Sequence, residues 1–329
     1  MIEKLSLKFG RFTRRLKVLA CAALLAAAVS PAAMAQDSPD PIKVILHDWT
    51  GHIVSGRMMG EVLRKAGYNV EYVSSPMVPA INAMAEGDLH LNAEQWLVSL
   101  LPVYEKLAAN GQVVSLGPLG IEGIETLYYP AYVEPDCPGL PSWEALKSCF
   151  GIFATPETAP KGRLVDQPAE YTSEMPQRME ALGLQFTSVP AGGEGALIAE
   201  VKGAYARKQP VLVYLWEPHW IFNEYDLRRL TFPEWNEACE KDPAWGINPE
   251  KTFDCGGAKP RIEKVVWSGF EKKWPGAFAV VRAALITNQD VSKLMQKVDV
   301  DGMKPEDAVS EWIAANQSKW QPWVDAAKK

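Results

Sequence analysis

Apolar and polar positions along this chain follow two rhythms, one of strands and one of helices. Residues 42–46 read as a first strand. Residues 52–66 repeat at helical spacing, with Val54, Met58 and Val62 at i, i+4 and i+8 on one face and Gly67 stopping the helix. A second strand is predicted at 68–73. Strand, helix, strand with short connections predicts a parallel α/β sheet. The pattern continues with a helix at 78–86 ended by Gly87, a strand at 88–92 closed by 93–96, and a helix at 97–109 capped by Asn110-Gly111.

Residues 124–133 are predicted as a strand crossing to a second lobe. Beyond them the pattern predicts a strand at 151–154, a polar turn at 155–162, a helix at 169–182, a strand at 186–189 and a helix at 196–207. A buried strand at 211–214 then runs on into Leu215, Trp216, Glu217, Pro218, His219 and Trp220. From Arg261 onward amphipathic helices are predicted, at 265–268, 275–285, 291–298 and 305–316. A chain that leaves one lobe and returns to it divides as 36–124 plus 268–329 for lobe I and 125–267 for lobe II.

Candidate chemistry gathers at strand ends. Pro218 cannot donate to a sheet ladder, so the strand before it is expected to stop there and present its aromatic residues to an opening. Trp49 and Trp96 each stand at a predicted strand-to-helix junction, and with Trp216 they begin a box suited to a cation. The competing reading is that these tryptophans pack the core. Open α/β sheets bind ligands at the carboxyl ends of their strands, and the N–H groups around Gly51 and His52, at a helix start, are placed to receive a carboxylate. His219 is a candidate polar contact to ligand, or else a hydrogen-bonding group at the strand end. Glu94 and Glu217 offer an alternative of another class, a secreted hydrolase with paired carboxylates, although no G-x-S-x-G elbow accompanies them. The four histidines, His47, His52, His90 and His219, lack metal-ligand spacing, and residues 191–195 lack the ending of a phosphate loop, so neither metal nor cofactor is expected.

The N-terminus changes the charge picture. Six basic residues precede an alanine-rich apolar run at 18–29 and the A-x-A site ending at Ala35, so residues 1–35 read as a signal peptide of an exported, periplasmic protein. Its removal leaves 28 basic and 39 acidic residues, a net charge of −11. That excess argues against nucleic acid or anionic membrane as partner and favours a cationic or zwitterionic ligand. Four cysteines remain in the mature chain. An even number in an exported protein predicts two disulfides among three connectivities, and the short loops favour Cys137–Cys149 and Cys239–Cys255.

Taken together, Tyr214-Leu-Trp-Glu-Pro-His-Trp220, the segment from Asp88 to Trp96, and the tail Gly302…Pro305…Ala308…Trp312…Asn316…Trp323 resemble the periplasmic solute-binding proteins of ABC importers for glycine betaine, choline and related quaternary amines. The resemblance covers essentially the whole mature chain. It implies a two-lobed α/β clamshell of the type II-like periplasmic-binding-protein kind, with the ligand cleft between lobes and a membrane permease as partner. The protein would act as a monomer without catalysis. It also implies an aromatic cage for the trimethylammonium group, for which Trp49, Trp96 and Trp216 are the candidates, with Tyr128 or Tyr129 as a further wall. Gly51 stands where choline-type members carry an acidic residue, which favours a carboxylate-bearing ligand. Glu217 in place of the usual threonine, and Glu94, point instead to a cation without one.

Overall fold

A computed structural model describes residues 37–98, 100–171 and 173–328; the predicted signal peptide lies outside these. Pro39–Lys329 make one compact unit built on two five-stranded sheets. The first lobe carries the order β2-β1-β3-β10-β4, from β1 (Ile42–Leu46), β2 (Val70–Ser74), β3 (Leu91–Leu97), β4 (Val113–Pro118) and β10 (Arg261–Trp267). The second carries β7-β6-β8-β5-β9, from β5 (Ile124–Pro130), β6 (Gly162–Asp166), β7 (Phe186–Pro190), β8 (Leu212–Glu217) and β9 (Leu227–Arg229). The two sheets share a plan. Three parallel strands are joined on one side by an antiparallel strand, β10 in the first and β5 in the second. Two chain crossings, Pro118 to Ile124 and Ala258 to Arg261, connect the lobes.

Helix α1 (Thr50–Lys65) shows why the pattern was readable. Val54, Met58 and Val62 are all fully buried on its inner face, and Gly67 follows with φ +97°. Helices α2 (Met77–Glu86) and α3 (Leu101–Ala109) follow in the first lobe. Helices α4 (Met175–Ala181) and α5 (Glu194–Arg207) belong to the second. The first lobe is completed by α6 (Pro275–Ala283), α7 (Asn288–Asp299), α8 (Pro305–Ala315) and α9 (Gln317–Asp325). A capping box between Thr287 and Asp290 starts α7. Both expected disulfides are present, Cys137–Cys149 and Cys239–Cys255, each in the second lobe.

Three expectations are corrected. Residues 151–153 fall in a 3-10 turn (Phe150–Phe153), Ala154 makes a single bridge to Gly162, and the strand of that region is β6, which starts where the turn was expected to end. Residues 265–268 are not helical. Residues 265–267 belong to β10, a strand paired along both edges, and Val265 and Val266 are both buried, so that the run loses the alternation that marks a half-exposed strand. Because β10 lies in the first sheet, the return to lobe I precedes Arg261 rather than following Trp267.

Candidate ligand-binding cleft

Trp49, Trp96 and Trp216 come together between the lobes. Trp49 sits after β1 in extended backbone as the N-cap of α1, Trp96 lies near the end of β3, and Trp216 near the end of β8. They line one cavity with about 440 Å³ of empty space, partly open to solvent, joined by Tyr171, Tyr214, Met77, Glu125 and Gln167. Tyr171 stands edge-on to Trp49, with centroids 5.4 Å apart at 71°, and to Trp216, at 6.5 Å and 68°. Aromatic rings thus line the cavity from both lobes, Trp49 and Trp96 from the first and Trp216, Tyr171 and Tyr214 from the second.

Glu94 holds two of these walls. It shares a face of β3 with Trp96, two residues on, because side chains alternate along a strand. Its Oε1 accepts hydrogen bonds from Trp49 Nε1 at 3.3 Å and Trp96 Nε1 at 2.9 Å. Glu94 is only 2% exposed, and burial raises its carboxyl above the usual range against the pull of its hydrogen-bond donors. Beneath it, His52 Nδ1 accepts the His47 N–H, so its Nε2 carries the proton and donates to Asn92 Oδ1 at 2.9 Å. Burial and the neighbouring His47 push the His52 pKa well down, which keeps this histidine neutral.

Glu125 is the acidic group of the cavity itself. It lies directly opposite Trp216 in the β5–β8 ladder and so shares its face. Enclosure pushes its carboxyl up to about 7, a hydrogen bond to Tyr214 opposing the rise and the nearby Glu174 adding to it. Near neutral pH this group is poised between acceptor and proton donor.

The structure places Glu217, Tyr128, Tyr129 and His219 away from the cavity lining. Glu217 follows Trp216 and so points to the opposite face of β8, where its Oε1 accepts the Tyr128 hydroxyl proton at 2.7 Å. Tyr128 packs there on Phe222, with centroids 4.8 Å apart. Tyr129 lies on Glu125's face but four residues, about 13 Å, further along the strand, and it bonds Glu134 at 3.2 Å. Gly51 packs beside Trp49, since a Cβ there would lie 3.5 Å from the Trp49 ring. The amide next to it, Thr50 N, is already taken by Glu194 Oε2 at 2.8 Å. His219 is buried and bonds Glu194 rather than lining the cavity. The sequence reading missed Tyr171, Tyr214, Gln167, Met77 and Glu125. Only Tyr214 left a signal, standing two residues before Trp216 and hence on its face. Among the described residues no group of histidine, cysteine and acidic side chains is arranged to hold a metal ion, and no helix is long and apolar enough to cross a membrane.

Residues 40–315 match the sequence profile of the substrate-binding domain of ABC-type glycine betaine transport systems. The chain belongs to this family. As a member of the glycine betaine transport family it is a quaternary-amine solute-binding protein, of an extracytoplasmic kind that works with a membrane permease. A trimethylamine N-oxide-binding protein of Pelagibacter ubique is 30% identical over 299 residues, spanning 88% of this chain and 92% of the relative. Lactococcal OpuAC, closed on glycine betaine, shares the fold with a TM-score of 0.66 at 20% identity, covering 86% of this chain and 99% of that one. ProX from Borrelia burgdorferi does so at 0.68 and 20%, covering 88% and 100%.

Proposed function

We propose that this protein captures a small trimethylammonium solute whose polar end is a single oxygen, with trimethylamine N-oxide as the simplest case. It delivers that solute to an ABC permease as an exported monomer that performs no catalysis. The observation that carries the reading is Glu125, opposite Trp216 at the wall of the aromatic cavity. A quaternary nitrogen has no N–H to donate, so it is held by ring faces and methyl packing, at about 0.5–2 kcal/mol per desolvated face. Its oxygen then needs a donor. A Glu125 carboxyl held up to about 7 supplies one in its protonated form. A ligand carboxylate finds less support, because among the described residues no lysine or arginine lines this cavity and Thr50 N is occupied. The similarity to a trimethylamine N-oxide-binding protein along most of the chain points the same way. Against catalysis, Glu94 is committed to two indoles and Glu217 lies on the far face of β8.

Isothermal titration with trimethylamine N-oxide, glycine betaine and choline at pH 6 and pH 8.5 tests this. The N-oxide is expected to bind tightest, and to weaken as pH rises through about 7 and Glu125 loses its proton. Choline, whose hydroxyl needs an acceptor, is expected to gain over the same range. Glycine betaine binding tighter than the N-oxide, or N-oxide binding indifferent to pH, would overturn the assignment.

A further inference from the structure

Helix α1 starts beside the cage without help from its own sequence. Its N-cap, Trp49, makes no side-chain cap, and its first turn holds no acidic residue. The Thr50 N–H goes instead to Glu194 Oε2 at 2.8 Å, a residue 144 positions away at the start of α5 in the other lobe. Glu194 is 7% exposed, and its second oxygen is met by His219 Nε2 at 3.2 Å. His219 Nδ1 accepts the Ile221 N–H at 3.1 Å, so the ring proton is on Nε2 and is donated to Glu194. A carboxylate from the second lobe therefore bridges a first-lobe helix N-terminus and an imidazole N–H. Those are the two kinds of donor that a ligand's carboxylate would seek at this edge of the sheet. Thr50 is engaged a second time, its Oγ1 donating to Asp299 Oδ1 at 2.8 Å, while Asp299 Oδ2 accepts Trp220 Nε1 at 2.7 Å.

We infer that Glu194 is a built-in carboxylate: it fills the anion position at the start of α1 from the facing lobe, so that closure of the cleft is completed by the protein's own acid, and it selects against trimethylammonium solutes that bring a carboxylate of their own. The inference rests on the N-oxide reading given above. Electrostatics agree with it. Asp299 and Glu94 both feel the Glu194 charge, and a further anion at this point would meet all three carboxyl groups. The sheet edge that in an open α/β fold is free for a ligand is here closed by a residue whose only sequence signal is its place after Gly192-Gly193 at a helix start.

The test compares wild type, Glu194→Ala and Glu194→Gln by titration with trimethylamine N-oxide and glycine betaine, with thermal melts to confirm folding. Alanine is expected to weaken N-oxide binding about tenfold or more while glycine betaine weakens less or tightens, so that the preference between the two falls by about tenfold. Glutamine keeps an acceptor for Thr50 N and loses the charge, so the preference is expected to fall by a smaller factor in the same direction. It carries the comparison if the alanine variant does not fold. Equal weakening of both ligands would make Glu194 a lobe clasp with no part in selection and overturn the inference, as would no change in either. A wild type that itself prefers glycine betaine would sink the N-oxide reading alone, and the direction of the change on substitution would still report the role of Glu194.

Discussion

Two carboxyl groups lie close to one aromatic-lined cavity and differ in their partners. Glu94 is tied to the Trp49 and Trp96 N–H groups and orients ring faces, whereas Glu125 opens on the cavity. Trp216→Ala is expected to weaken trimethylammonium binding about tenfold or more with the fold intact, read by titration and circular dichroism. Glu94→Ala is expected to weaken N-oxide, betaine and choline by a common factor, since it loosens walls that all three use; a change confined to one ligand would place Glu94 in direct contact with it. Glu125 also links to stability. Its folded pKa of about 7 stands above the ordinary carboxyl value, so the folded state holds a proton that the unfolded state has lost between roughly pH 4.5 and 7. The contribution of this group is full below that window and falls as pH rises through it. Thermal melts of the ligand-free protein are therefore expected to decline with pH less steeply in Glu125→Gln than in wild type.

Single elements set where these residues can point. The pleat of β8 sends Tyr214 and Trp216 to the cavity and Glu217 away from it, and the β5–β8 register brings Glu125 opposite Trp216. The crossing between β4 and β5 is held to the connection between α6 and α7, Ile286 N donating to Leu119 O at 2.8 Å. Gly120 in that crossing has φ +104°, and a Cβ there would stand 2.8 Å from the Ile286 carbonyl oxygen, a backbone atom that cannot swing aside. Gly120→Ala is accordingly expected to cost about 1–3 kcal/mol, measured by urea unfolding, in a segment that lies between the two lobes. A wild-type unfolding midpoint in this variant would mean that the crossing relaxes freely.

At the scale of the whole molecule, both disulfides belong to the second lobe, where the stretch between β9 and β10 has little regular structure of its own. Closing loops of 12 and 16 residues constrains the unfolded chain by about 3 kcal/mol each. Reduction is therefore expected to lower the melting temperature by several degrees, and saturating ligand to restore part of it by mass action. A melt unaffected by reductant would show that the second lobe holds without its cross-links. The cavity draws walls from both lobes, and Glu194 with Trp220 reaches across to Thr50 and Asp299, so hydrogen bonds between the lobes stand beside the cavity.

The sequence by itself determined the elements whose periodicity is undisturbed, such as the inner face of α1, together with the two short cysteine loops and the three tryptophans at strand ends. Each of these is a local property: spacing on a helix, loop length, or a proline that stops a ladder. Tertiary structure decided what depends on pairing between distant strands. It made 261–267 a doubly paired strand of the first sheet, turned Glu217 and Tyr128 away from the cavity, and set Glu125 against Trp216 across 91 positions of chain. It also delivered Glu194 to Thr50 from the opposite lobe. No periodicity records which strand lies beside which, because the ladder hydrogen bonds use backbone groups that every non-proline residue shares, and register alone then fixes which side chains meet.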